Sequence, residues 1–119
     1  EQLLSLKKKY PNFVSLSNYI KGFDRAIKNG GIDGCKAGKY FMNIDNYGNV
    51  ARCTETTEIP VGNILHEEAE DIRQKLLEVQ RTGNCGQCWT SCRGWAELMH
   101  GPDQIKAWKE FYITVQDYE

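Results

Sequence analysis

The sequence lacks an excess of charge of either sign and has no long apolar run. Its 15 Lys and Arg balance 16 Asp and Glu, and the cations are spread along the chain. Non-specific binding to nucleic acid or to a membrane surface therefore has no electrostatic support. No apolar stretch approaches the roughly 20 residues of a transmembrane helix. We therefore expect neither nucleic acid nor a membrane as a partner.

A signal peptide and an initiating methionine are also missing from the sequence. We therefore expect a cytoplasmic protein, where thiols stay reduced and grouped cysteines usually mean metal or redox work. Residues 1–10 read as the middle of a helical segment that the chain breaks at Pro11. We expect this 119-residue chain to be the C-terminal portion of a longer protein. At this length a metal centre would help to stabilise the fold.

The first clear helical pattern carries a single apolar stripe. Apolar residues recur at three- and four-residue steps and predict one buried face, formed by Leu16, Tyr19, Ile20, Phe23 and Ile27. Ser15 or Ser17 can cap the start of this helix, and Gly30 can end it.

A β-hairpin is predicted next. Segments 40–44 and 49–53 read as strands, with a tight turn of Asp45-Asn46-Tyr47-Gly48 between them. Cys35 lies before the hairpin in a turn rich in small residues. We expect the hairpin to carry Cys53 back beside Cys35.

The second half of the chain is predicted to be mainly helical, which makes the fold class α+β, a small cysteine-rich domain with a hairpin flanked by several helices. A short strand is expected at 61–64, followed by helices from 67 to 82, from 93 to 100 and from about 103 to 116. The buried face of the first of these helices is predicted to contain Ile72, Leu76 and Val79, with Leu77 as a further candidate. The apolar side of the last is predicted to consist of Ile105, Trp108, Phe111, Tyr112 and Val115.

Five cysteines carry the chemistry that the sequence indicates. Cys85, Cys88 and Cys92 form a knuckle (residues 85–92), whereas Cys35 and Cys53 stand well upstream. Thiolates grouped this densely repel one another unless a metal ion, an iron–sulfur cluster or disulfides join them. The odd number disfavours a disulfide-linked extracellular domain. A polar loop rather than a strand precedes Cys85, which disfavours a thiol-disulfide enzyme.

The spacing of the knuckle suits metal binding. Cys85-x2-Cys88 lets two thiolates bind one metal from a single turn, which Gly86 permits, and Cys92 adds a sulfur one helical turn later. A tetrahedral zinc ion and an iron–sulfur cluster would use the same four sulfurs, so spacing alone leaves both open. The alternative function is therefore a structural four-cysteine zinc module with no redox role.

Together, the cysteines and the hairpin resemble the C-terminal auxiliary-cluster domain of radical SAM enzymes, the SPASM domain or its one-cluster relative, the Twitch domain. The resemblance is carried by Cys35 ahead of the hairpin, by Gly48-x4-Cys53 and by Cys85-x2-Cys88, and it covers roughly residues 33–95. It implies a division into a helical lead-in (1–31), a cluster-binding domain (32–95) and a C-terminal helical tail (96–119).

The resemblance implies one [4Fe-4S] cluster. A full SPASM pattern has seven cysteines, and no cysteine follows Cys92 here, so there are too few sulfurs for two clusters. By that pattern the ligands are Cys35, Cys53, Cys85 and Cys88. Cys92 is then spare, or it replaces Cys85 or Cys88.

The resemblance also limits what this chain does alone. The Cys-x3-Cys-x2-Cys motif that holds the catalytic cluster of radical SAM enzymes is missing, so no catalytic residue is predicted. S-adenosylmethionine would bind only in an N-terminal radical SAM barrel of the same parent protein, which is the expected partner. Arg93, Trp89 and Trp95 flank the knuckle and are expected to tune the cluster or to shield it, unless they serve only packing.

Overall fold

The structure, a computed structural model, describes residues 1–83 and 85–116, and these contain five α-helices and a three-stranded antiparallel sheet. The α+β fold class is thus confirmed. The helices are α1 (Gln2–Lys9), α2 (Ser17–Asn29), α3 (Ala69–Thr82), α4 (Ser91–His100) and α5 (Gln104–Gln116). The strands are β1 (Asn43–Ile44), β2 (Asn49–Ala51) and β3 (Gly62–Asn63), with β2 in the centre of the sheet.

The described chain forms two compact units. The helical unit comprises residues 1–32 and 87–116 and contains α1, α2, α4 and α5, together with all three tryptophans, Trp89, Trp95 and Trp108. The hairpin unit comprises residues 33–86 and contains the sheet and α3. The functional division predicted at 31/32 and at 95/96 stays a prediction.

The predicted hairpin turn is confirmed, and its polar residues explain why it forms. Oδ1 of Asp45 accepts hydrogen bonds from the backbone N–H of Tyr47 at 2.8 Å and of Asn49 at 2.9 Å. Gly48 has a φ of 82°, which a residue with a side chain adopts only under strain. The Asn49 side chain, followed by these backbone groups, lowers the pKa of Asp45 below its usual range. The turn is therefore specified locally.

The strands are shorter than predicted. β1 begins at Asn43 rather than at residue 40, because the backbone N–H of Tyr40 bonds back to the Lys36 carbonyl at 3.0 Å in a turn. β2 ends at Ala51, since the chain enters a short 3₁₀ helix at Thr54–Thr56. The predicted short strand at 61–64 is confirmed as β3, which pairs with β2.

The core of the hairpin unit is the contact between the sheet and α3. Val50, Ile72 and Leu76 are buried together, and Val61 packs against them. Gly38 brings the loop before the hairpin onto the same helix, because a Cβ at this position would lie 2.7 Å from the Leu76 carbonyl oxygen. The predicted buried face of α3 is confirmed at Ile72 and Leu76, whereas Val79 is only half-buried.

The helical unit has its own core, in which Leu16, Met99 and Ala107 are buried, with half-buried apolar side chains around them. The predicted stripe of α2 is confirmed in its first turns, where Leu16 and Ile20 are buried. It is wrong for Ile27, which is 79% exposed, so the buried stripe ends one turn earlier than predicted. Gly30 ends α2 as predicted, in the left-handed conformation.

The predicted inner side of α5 is confirmed only at Phe111, which packs against the core. The other four predicted residues are exposed, namely Ile105, Trp108, Tyr112 and Val115, and the buried residue of this helix is Ala107, which was not predicted. Apolar residues occur all around this helix, so their period does not fix which side is buried. The small Ala107 side chain packs directly into the core, and the polar Glu110 lies inward because it has partners there.

The contacts of Glu110 replace the predicted serine cap of α2. Leu16 occupies the N-cap position and offers no side-chain cap, so the prediction of Ser15 or Ser17 is wrong. Instead, Oε1 of Glu110 accepts hydrogen bonds from the Ser17 backbone N–H at 2.9 Å and from the Ser17 hydroxyl, and it pairs with the Lys7 ammonium. A carboxylate from α5 thus caps α2 and binds α1, which suits the positive end of a helix.

These contacts set the charge state of Glu110. Burial raises the pKa of its carboxyl group, but the hydrogen bonds from Lys7 and Ser17 together lower it further, so the net pKa lies below the usual value. A carboxyl group with a lowered pKa in the folded state stabilises the fold above its unfolded pKa of about 4.3. That stability is lost as the pH falls through the folded pKa.

We predict that Glu110→Gln lowers the free energy of unfolding at pH 7 by about 1–2 kcal/mol, because a neutral amide binds the cation and the helix start less strongly. At a second, acidic pH below the usual pKa range of a carboxyl group, the difference between variant and wild type should shrink, because the wild-type carboxylate is increasingly protonated there. Urea unfolding at the two pH values measures it, with the exposed Glu58→Gln as the control. An equal difference at both pH values would contradict the role of the charge.

Candidate metal centre

Two predicted ligands that are far apart in sequence lie side by side in the hairpin unit. The backbone N–H of Cys35 donates a hydrogen bond to the carbonyl oxygen of Cys85 at 3.2 Å. Cys35 is buried and Cys85 is half-buried. The loop that contains Cys35 therefore reaches the start of the knuckle.

Gly86 lets these two segments pack closely. A Cβ at Gly86 would overlap the Asp33 carboxylate and would lie 3.1 Å from the Asp33 Cα. The backbone of Gly86 is not among those with positive φ, so its turn does not require glycine for conformational reasons. The prediction that Gly86 permits the turn is therefore corrected: the missing side chain gives the Cys35 loop room to approach.

Cys53 is held by the turn that follows β2. Its backbone N–H donates to Oγ1 of Thr56 at 3.1 Å, and its Sγ lies 3.6 Å from the same oxygen. The residue is half-buried and precedes the 3₁₀ helix Thr54–Thr56. Cys53 thus belongs to the same compact unit as Cys35 and Cys85.

Cys88 and Cys92 belong to the helical unit. α4 begins at Ser91, two residues before the predicted start, so Cys92 lies in its first turn and is exposed. Burial, and next the charge of the Cys92 side chain, raise the pKa of Tyr19 on α2. Cys88 is half-buried in the segment before α4.

The five cysteines are therefore divided between the units, with Cys35, Cys53 and Cys85 in one and Cys88 and Cys92 in the other. Cys53, Cys85, Cys88 and Cys92 are thiols outside any disulfide. Within neither unit do three His, Cys, Asp or Glu side chains of the described residues form a group that could hold a metal ion. The backbone brings Cys35 and Cys85 together, but the side chains do not form a closed ligand set.

Arg93 fixes the backbone of the knuckle. Its side chain is fully buried, Nη1 donates to the Cys88 carbonyl oxygen at 2.7 Å, and Nε donates to Oε1 of Glu97 at 2.9 Å. The guanidinium also lies over the Trp89 ring, 5.7 Å from its centroid. These contacts hold Cys88 against α4 and pair the buried cation with a carboxylate.

Trp89 and Trp95 make packing contacts in the helical unit. Nε1 of Trp89 donates to the Tyr19 carbonyl oxygen at 2.9 Å, and the indole fills the space left by Gly22, where a Cβ would overlap it. Trp95 packs edge-on against Phe111, with ring centroids 5.8 Å apart. Both side chains connect helices, and their expected role around a cluster stays a prediction.

Arg52 is a residue that the sequence reasoning missed. It is only 9% exposed, and its Nη2 is buried without a hydrogen-bond partner among the described residues. The one available signal was its position, since it directly precedes Cys53 at the end of a buried strand. A buried cation in such a place is uncommon unless it is paired.

The hairpin unit also contains a cavity that the sequence reasoning did not foresee. Its volume is about 330 Å³, and its walls come from the hairpin and α3, including Tyr40, Phe41, Met42 and Ile72. Lys39 and Arg73 also line it, but Arg73 is paired with Glu70 at 2.7 Å. The walls are mostly apolar, so the cavity suits an apolar group rather than a metal.

Compared with protein-family models, with curated proteins and with solved structures, the chain matches none. No helix in the described ranges is both long enough and apolar enough to cross a membrane. The resemblance in cysteine spacing stays a hypothesis about function.

We predict that Arg93→Met lowers the free energy of unfolding by about 3 kcal/mol, because it leaves the Glu97 carboxylate and the Cys88 carbonyl without their buried partner. Urea unfolding followed by circular dichroism measures the loss. Arg25→Met, an exposed position on α2 of the same unit, is the control and should change stability by less than about 0.5 kcal/mol. Equal stability of the two variants would contradict the role assigned to Arg93.

Proposed function

We propose that this chain is the auxiliary [4Fe-4S] domain of a radical SAM enzyme, which transfers electrons or supports the substrate site and has no catalysis of its own. The observation that carries the proposal is the hydrogen bond between Cys35 and Cys85. It joins the cysteine before the hairpin to the first cysteine of the knuckle, as this type of domain requires. The zinc module of the same four sulfurs is the alternative that the experiments below separate from it.

The proposed ligands are Cys35, Cys53, Cys85 and Cys88. The first three belong to the hairpin unit and are buried or half-buried, which suits thiolates that bind a cluster away from water. Cys92 is exposed in the first turn of α4 and is the proposed spare. Thiolates are the donors that iron–sulfur clusters use, so the chemistry of the donor set fits.

Cluster binding would be coupled to folding. Because the described side chains do not form a ligand group within either unit, the cluster would have to draw thiols together from separate loops. The free energy of binding then adds to the stability of those loops. Melting temperature and metal content should therefore change together.

The cluster would supply one-electron transfer, and ligation by four cysteines would leave no iron open to substrate. The residues of this chain would hold it: Gly86 lets the loop that contains Cys35 approach the start of the knuckle, and Arg93 holds the Cys88 backbone on α4. S-adenosylmethionine and the substrate would bind in the N-terminal barrel of the parent protein. The reducing cytoplasm is the compartment that suits such a domain.

Elemental analysis and a UV–visible spectrum of protein prepared without oxygen test the proposal. We expect about four irons and four sulfides per chain, and a broad absorbance near roughly 400 nm that bleaches on reduction. One zinc per chain in a colourless solution would instead establish the structural module. A chain that retains neither metal after anaerobic reconstitution would overturn both.

Cysteine variants test the ligand set. We predict that Cys53→Ala loses the bound iron and lowers the melting temperature of the reconstituted protein, because binding contributes to folding. Cys92→Ala should keep its iron and serves as the matched control. If Cys92→Ala loses iron while Cys85→Ala or Cys88→Ala retains it, Cys92 is a ligand and the proposed set is wrong.

A further inference from the structure

Arg52 is a buried cation with an unsatisfied donor. The residue is 9% exposed, and its Nη2 finds no hydrogen-bond partner in the described part of the chain. Burying a charge without a partner costs far more than burying an apolar side chain of the same size. A native protein that keeps such a group usually has a use for it or a ligand that satisfies it.

The ion pairs of the hairpin unit do not include this guanidinium. Among the described residues of that unit the pairs are Arg73–Glu70, Lys75–Glu67 and Arg81–Glu78. All three lie on or next to α3, and each involves exposed side chains. Arg52 packs on Gly83, which ends α3, and the partial negative charge of a helix C-terminus offsets a full buried charge only in part.

The space that Arg52 occupies is made by Gly83. A Cβ at this position would lie 2.5 Å from Nη1 of Arg52 and 3.4 Å from its Cζ. The backbone of Gly83 has φ −87° and ψ 117°, which any residue adopts, so conformational freedom is not the reason for a glycine here. The missing side chain lets the guanidinium lie against the backbone of Gly83, where α3 ends.

Arg52 and the residue on which it packs are therefore each close along the chain to a proposed ligand. Arg52 directly precedes Cys53, and its guanidinium packs on Gly83, two residues before Cys85, whose carbonyl in turn binds the Cys35 N–H. All of these residues belong to the hairpin unit. A cluster or zinc ion held by four thiolates carries a net negative charge, and its sulfurs accept N–H hydrogen bonds.

We infer that Arg52 is the positioning cation of the proposed metal centre, whose free N–H donor hydrogen-bonds a ligand sulfur and whose charge offsets that of the thiolates. The inference rests on the proposed function and deepens it. It also moves this role away from Arg93, since the buried charge of Arg93 is already paired with Glu97. A cation beside the sulfurs stabilises the reduced, more negative cluster and so raises its reduction potential.

The inferred partner of Arg52 is a ligand sulfur of the metal centre, so the effect of replacing Arg52 should depend on whether metal is bound. Arg52→Met removes the charge but keeps an unbranched side chain, and Arg52→Lys keeps the charge but loses the planar fork. Arg81→Met, an exposed and paired position on α3, is the control. Each whole chain is prepared with and without reconstituted iron, and melting temperature, iron loss to a chelator and midpoint potential are measured.

Arg52→Met is expected to shift the melting temperature in opposite directions without and with metal. Without metal, Arg52→Met should melt higher than wild type, by roughly 4 °C, because it removes an unpaired buried charge. With metal it should melt lower, lose iron at least tenfold faster and have a lower midpoint potential. Arg52→Lys should hold iron better than Arg52→Met, and Arg81→Met should match wild type throughout.

The outcomes separate this inference from the proposed function. If wild type binds the cluster but both Arg52 variants keep its potential and its rate of iron loss, Arg52 serves the fold alone and the inference is overturned. If wild type binds zinc and Arg52→Met still shifts the melting temperature in opposite directions without and with metal, the redox function is overturned. Arg52 then remains the cation of a thiolate–metal site. If wild type binds no metal, both are overturned. The potential and the chelator rate need only metal-loaded protein, so they decide the matter even if a metal-free variant fails to fold.

Discussion

The packing of α3 against the hairpin sheet is the contact on which the hairpin unit depends. Val50, Ile72 and Leu76 form its buried centre, and burial of an aliphatic side chain contributes about 1.5–3 kcal/mol. Because the loop before the hairpin rests on the same helix, this small core also determines where Cys35 lies. A unit with so few buried apolar side chains has much to gain from a ligand that joins its loops.

The parts of the fold that the sequence predicts well are those in which neighbouring residues supply the cause. The Asp45 carboxylate and the positive φ of Gly48 specify the hairpin turn by themselves, and Gly30 ends α2 in the same local way. The failures depend on distant residues. The cap of α2 comes from Glu110, far along the chain, and the buried side of α5 follows from what α4 and α2 offer it. Apolar period alone does not contain that information.

The candidate site likewise has features that the sequence predicts and features that depend on packing. Cysteine spacing and the hairpin name the thiols, because ligand type and separation along the chain are properties of the sequence. Which cations are neutralised is a property of the packing: Arg93 and Arg52 are both buried, yet only Arg93 has a described carboxylate partner. The sequence marks both simply as arginines beside cysteines. Glycines are equally ambiguous, since Gly83 and Gly86 serve close approach rather than an unusual backbone angle.

The placement of the tryptophans has an optical consequence. All three belong to the helical unit, whereas the hairpin unit contains only tyrosine fluorophores, Tyr40 and Tyr47. Selective excitation of indole therefore reports on the helical unit alone, and Trp89 is an especially well-defined reporter because its N–H is bonded to the Tyr19 carbonyl. Native tryptophan is thus a probe of the helical unit, and its unfolding can be followed without any added dye.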